Sequence, residues 1–146
     1  MKRLLLPVGL LALALGAAGS GGAWAQADVV GQRKEEMKRS GAHLEAIKKI
    51  MDAGEAVGPV APRAQEMHGY FATLPTLFPA GSTENSKARP EVWSDRAGFE
   101  KAASNASEAT AKLAAAAGSG DRDATAAAFR EVGASCGACH RNYRAR

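Results

Sequence analysis

Apolar residues recur every three or four positions in four separate stretches of the chain, with no strand-length alternation between them. The first stretch, about residues 28 to 53, sets Val30, Met37, Leu44, Ile47 and Met51 on one stripe, with Gly54 and Gly58 just beyond it as helix stops. Pro59 and Pro62 stand where a second helix can begin. Val60, Ala64, Met67, Phe71 and Leu74 mark its inner face, and Pro75 and Pro79 end it near residue 78. From Pro79 to Arg89 the chain is rich in turn formers and poor in apolar side chains, which predicts a long surface loop. Pro90 suits the first turn of a third helix, which runs to about Ala117 with Trp93, Phe99, Ala103, Ala106 and Leu113 inward. Gly118-Ser119-Gly120 forces a turn, and Asp121 or Asp123 caps a fourth helix. That helix carries Phe129, Val132, Cys136, Cys139, His140 and Tyr143 at three- or four-residue steps. The pattern predicts an all-α fold, an antiparallel four-helix bundle.

The N-terminus lies outside this pattern. Met1-Lys2-Arg3 puts positive charge ahead of an uncharged stretch, Leu4 to Gly19, and Ala23-Trp24-Ala25 supplies a small-residue cleavage site. Residues 1–25 therefore read as a secretory signal, with one domain over 26–146 and a periplasmic location. A retained membrane anchor fits less well, because the apolar run is short and is broken by Pro7 and several glycines. Lys2 and Arg3 leave with the signal while every carboxylate stays, so the 19 basic and 15 acidic residues become 17 − 15 = +2. Such an excess is too small to argue for a nucleic-acid partner.

The predicted core is short of bulk. Outside the signal the aromatics are Tyr70, Phe71, Phe78, Trp93, Phe99, Phe129 and Tyr143, set amid abundant alanine. Alanine-lined helices bury about half the area of leucine-lined ones, at roughly 25 cal/mol per Å². A large buried prosthetic group would make up the difference, although high helix propensity alone also favours alanine.

Cys136-Gly137-Ala138-Cys139-His140 matches Cys-x-x-Cys-His, the pattern that attaches c-type haem through two thioethers. On a helix the cysteines lie one turn apart on one face, and His140 projects toward the same porphyrin as an axial iron ligand. Two haem propionates would cancel the small positive excess. A disulfide three residues apart would close almost no loop and add little stability. A redox dithiol normally sits at a helix N-terminus beside a βαβ sheet, whereas this pair lies late in the last helix. Structural zinc would need His43 and His68, and neither stands at ligand spacing.

At these residues the chain resembles the class II c-type cytochromes, cytochrome c prime and its low-spin relatives, over the whole length after the signal. The attachment segment through Arg141-Asn142-Tyr143-Arg144 is the most specific element. Arg33-Lys34-Glu35-Glu36-Met37-Lys38, Leu77-Phe78-Pro79-Ala80-Gly81-Ser82 and Arg89-Pro90-Glu91-Val92-Trp93 are similar to the family pattern as well. The resemblance implies a left-handed bundle, commonly a homodimer, with one haem c near one end, His140 proximal to iron and the first helix on the distal side. It places Arg33 near a propionate, with Lys34 where many members have Gln, and Arg144 on the proximal side, where it would otherwise be a solvated charge favouring the helix dipole. Met37 falls at the position aimed at the distal face, as a candidate sixth iron ligand, though it also belongs to the apolar stripe. No catalytic residue set is evident. The expected function is electron transfer with periplasmic redox proteins of unknown identity, with Met37 ligating; the alternative is a protein with an open sixth position that binds small gases such as NO or CO. A haem-free dithiol protein stands far behind.

Overall fold

The computed structural model describes residues 21–146, with side chains from Val29 onward. Residues 1–20 of the expected signal segment lie outside the described residues. Four long helices, α1 Gly21–Asp52, α2 Val60–Thr73, α4 Arg96–Gly118 and α5 Arg122–Tyr143, form the antiparallel four-helix bundle, with a one-turn α3 Glu91–Ser94 ahead of α4. The helix stops behave as the glycines require: Gly54 and Gly120 take φ +73° and +78°, the left-handed region that ends a helix without a Cβ clash. Asp121, not Asp123, caps α5, its carboxylate accepting from the Ala124 N–H at 2.9 Å.

Two helix boundaries differ from the sequence expectation. The second helix stops at Thr73 instead of residue 78, and Leu74–Leu77 tighten into a 3-10 turn. Pro75 has no N–H to continue the α-helical ladder, and the turn closes on a 3.2 Å bond from the Phe78 N–H to the Pro75 carbonyl. The third helix is broken at Asp95 (φ −116°, ψ 58°), where the carboxylate caps α4 by accepting from the Gly98 N–H at 3.2 Å. Its other oxygen accepts the Tyr143 hydroxyl at 2.8 Å, and this bond pushes the phenol pKa up. A Cβ on Gly98 would land on both groups. The break therefore latches the start of α4 to the end of α5. Asp95→Ala is expected to cost about 1–2 kcal/mol, typical of a lost cap, read as a lower midpoint in urea unfolding; an unchanged midpoint would show that the latch is not structural.

The core forms where α2 packs on α4 and α4 on α5. Val60, Ala64, Met67, Phe71 and Leu74 meet Phe99, Ala103, Ala106 and Leu113, with Val132 from α5, and all are buried. Alanine at three of these positions brings the helices close together. Attachment of α1 is less even. Ile47 is fully buried on the core, and Arg122 at the start of α5 donates to the carbonyls of Met51, at the end of α1, and Glu55, just beyond it. Toward the other end of the bundle α1 diverges from α5.

Candidate haem site

That divergence is the origin of the site. Among the described residues α1 rests on α2 and the 3-10 turn but makes no comparable contact with α5. Between them lies a cavity of about 700 Å³, walled by Val30, Arg33, Lys34, Met37 and Lys38 of α1 and by Cys139, His140 and Tyr143 of α5. Its floor is apolar. Leu74, Val92 and Phe99 are buried there, and Phe99 packs edge-on against Phe78 (4.8 Å) and Tyr143 (5.4 Å). The volume falls within the roughly 300–1,000 Å³ of cofactor sites.

The helix register of α5 distributes the motif residues. Cys139 is half-buried on the cavity wall, while Cys136, one turn earlier, is half-buried against the core and is not part of the lining. Both thiols are free, and burial pushes both pKa values up, the opposite of the stabilised thiolate that a redox dithiol needs. His140 is exposed at the mouth of the cavity, whereas Tyr143, a turn further on, is buried. Desolvation, and then the nearby Arg144 charge, lower its pKa, which keeps the imidazole neutral and able to donate a lone pair at pH 7.

Arg33 is buried, although nothing in its sequence neighbourhood sets it apart from the solvated charges around it. Its two terminal nitrogens donate to the Leu77 carbonyl (3.2 Å), the Ser82 hydroxyl (3.1 Å), the Ser82 carbonyl (2.8 Å) and the Ser86 hydroxyl (3.3 Å). The guanidinium also lies 4.1 Å from the centroid of the Phe78 ring. All four terminal N–H groups are thus engaged by the protein, so a propionate could take only Nε–H or displace one of these acceptors. Arg33 pins α1 to the loop that forms the cavity's third wall. The segment around Phe78 and Ser82, which stood out in the sequence only by resemblance, is its receptor.

Met37 lines the cavity and is half-buried, packed against the core cluster. Arg144 is exposed on the lining, and its backbone pairs with Ala88 and closes on the His140 carbonyl at 3.2 Å. The other two histidines lie elsewhere. His43 meets Glu66 at 3.1 Å and His68 meets Ser107 at 2.9 Å, and no cluster of three or more His, Cys, Asp or Glu side chains among the described residues could hold a metal ion. The residues that sequence reasoning missed are Asn85, Ser86, Lys87 and Ala88 of the loop wall; of these only Ser86 is bonded to Arg33, and the turn-rich composition of the segment gave no sign of the others.

An apolar slot between the first and last helices of a bundle, with a Cys-x-x-Cys-His segment on one wall, defines a class II c-type cytochrome. The family model described as Cytochrome C' matches residues 28–144. Cytochrome c' of Rhodospirillum rubrum is 30% identical over 148 residues, covering 99% of each chain. Cytochrome c' of Alcaligenes xylosoxydans xylosoxydans is 46% identical over a shorter match of 74 residues, which spans 51% of this chain and 58% of that protein. The nitric oxide complex of a point mutant of cytochrome c prime from Alcaligenes xylosoxidans superposes with a TM-score of 0.75 at 31% identity, covering 83% of this chain and 96% of that one. This chain belongs to the cytochrome c' family, whose cofactor is a covalent haem c with its iron.

Proposed function

We propose that the chain is a periplasmic monohaem cytochrome c' in which Cys136 and Cys139 hold haem as thioethers, His140 is the proximal iron ligand, and the face toward α1 binds a small neutral gas such as NO or CO. The single observation that carries this is the slot of about 700 Å³ between α1 and α5, with Cys139 and His140 on one wall and an apolar floor. When bound, haem would supply a redox-active iron that can take a small ligand, with His140 as the residue that would hold the iron. The protein's own contribution is a dry floor of Leu74, Val92 and Phe99, and an α1 wall held in place by Arg33. The buried charge on that wall is already hydrogen-bonded, so the interior offers a neutral diatomic no competing ionic partner.

This reading departs from the expectation of electron transfer with Met37 as ligand. Membership of the cytochrome c' family and the nitric oxide complex of a relative favour the gas-binding branch. Electron transfer remains the second reading because Met37 does line the slot. Export rests on residues 1–25, and a homodimer rests on the family resemblance; no helix among the described residues is long and apolar enough to cross a membrane. Made with haem-maturation machinery, the protein is expected to start at Gln26, to keep its haem through acid–acetone extraction, and to take up carbon monoxide when reduced. Colourless exported protein with two titratable thiols would overturn the reading.

A further inference from the structure

We propose that the mouth of the slot is a docking surface for an acidic redox protein, an inference that rests on the haem reading above and names the kind of partner that delivers electrons there. The exposed part of the cavity wall is Lys34 and Lys38 from α1, Asn85 and Lys87 from the loop, His140 from α5 and Arg144 just beyond its end. With Arg33 beneath them, five cations line the slot and no Asp or Glu does. From Gln26 onward the chain has 17 basic and 15 acidic residues, so the rest of the domain holds 12 cations against all 15 carboxylates, a net −3. The opening is therefore a cationic patch on a domain whose remaining residues carry a net negative charge. The two carboxylates that haem brings would not cancel five cations.

None of the four exposed cations is held by an ion pair among the described residues, whereas Arg39, Lys48, Arg89, Arg96 and Lys112 elsewhere are. They stand on three separate elements around a wide opening. The one buried cation, Arg33, has its terminal donors filled by protein acceptors. A small anion thus finds no built pocket, while a broad acidic face meets three exposed lysines and one arginine at once. Such complementarity steers encounter and raises association rates by about 10–1,000-fold, and salt weakens it.

The test uses the haem-loaded protein with flavodoxin as an acidic one-electron donor. Covalent haem is scored first by its pyridine haemochrome spectrum, so that failure of the haem reading is seen separately. Amide shifts of the labelled protein on adding flavodoxin are expected around residues 34–38, 85–88 and 140–144, and the second-order reduction rate should fall about tenfold or more from low to high salt. The triple variant Lys34→Glu, Lys38→Glu, Lys87→Glu should lose both effects, while Lys49→Glu, Lys101→Glu, Arg130→Glu, which changes the net charge equally away from the slot, should keep most of the rate and the same shift map. Three outcomes would overturn the proposal: shifts centred on another face, equal losses in the two triple variants, or rim shifts with inorganic phosphate but none with flavodoxin. The shift map reads the docking surface whether or not the reduction rate is measurable.

Discussion

Replacing both Cys136 and Cys139 with alanine is expected to give a colourless protein in which the N-terminal half of α1 no longer packs stably on the bundle. Val30, Arg33, Lys34, Met37 and Lys38 line the slot on the α1 side, and α1 makes no contact with α5 comparable to those with α2 and the 3-10 turn. Without haem, the open slot of about 700 Å³ leaves Leu74, Val92 and Phe99 without packing partners on its side. The apo chain therefore loses the contacts that haem would supply. Because Lys34, Lys38 and His140 are exposed at its mouth, water enters, and the near half of α1 is then held by the Arg33 bonds to the loop without apolar packing on its slot side. The far half of α1 has independent anchors in Ile47 and in the Arg122 bonds to Met51 and Glu55. Amide exchange should therefore divide the helix: protection lowered over residues 29–40, where the Arg33 bonds are the main remaining anchor, and retained around 44–52 and throughout the α2–α4–α5 core. The melting midpoint should fall by about 10 °C or more, as a loss of a few kcal/mol implies at this size. Uniform protection along α1 in the colourless variant would show that the bundle closes without haem.

The same unevenness separates what the sequence revealed from what it did not. The stripe of α2 and the inward residues Phe99, Ala103, Ala106 and Leu113 of α4 were legible because both faces bury against neighbours of ordinary helical period. The stripe of α1 was legible as a pattern but not as a contact, since Met37 and Leu44 are only half-buried and half of what that face meets is the slot. The break at Asp95 was hidden because the apolar spacing continues across it; what decides it is a side chain that caps forward to Gly98 and bonds sideways to Tyr143, 48 residues away. Burial of Arg33 was likewise illegible without its acceptors, which lie 44–53 residues on in a segment whose composition reads only as loop. The attachment motif, by contrast, was fully visible, because its chemistry is written in five consecutive residues.

The sixth position turns on how Met37 uses its side chain. It lies on the slot wall one turn beyond Arg33, yet it is also packed against the core, and a thioether drawn out to an iron would leave that packing behind. Arg33 fixes the backbone of α1 at this level through four hydrogen bonds, so the helix cannot simply slide to bring Met37 closer. The expected result is a high-spin spectrum in the wild type, with the position opposite His140 open to gas and crowded by the Met37 side chain. Met37→Ala should leave the spin state unchanged and raise carbon monoxide affinity by about tenfold, the equivalent of relieving roughly 1.4 kcal/mol of steric opposition. Met37→Leu, which keeps the bulk and removes the sulfur, should behave as wild type in both respects. A low-spin six-coordinate spectrum with a sharp reduced α band, abolished equally by Met37→Ala and Met37→Leu, would instead assign the sulfur to iron and return the protein to electron transfer. The leucine variant is decisive because it separates ligation, which needs sulfur, from crowding, which needs only volume.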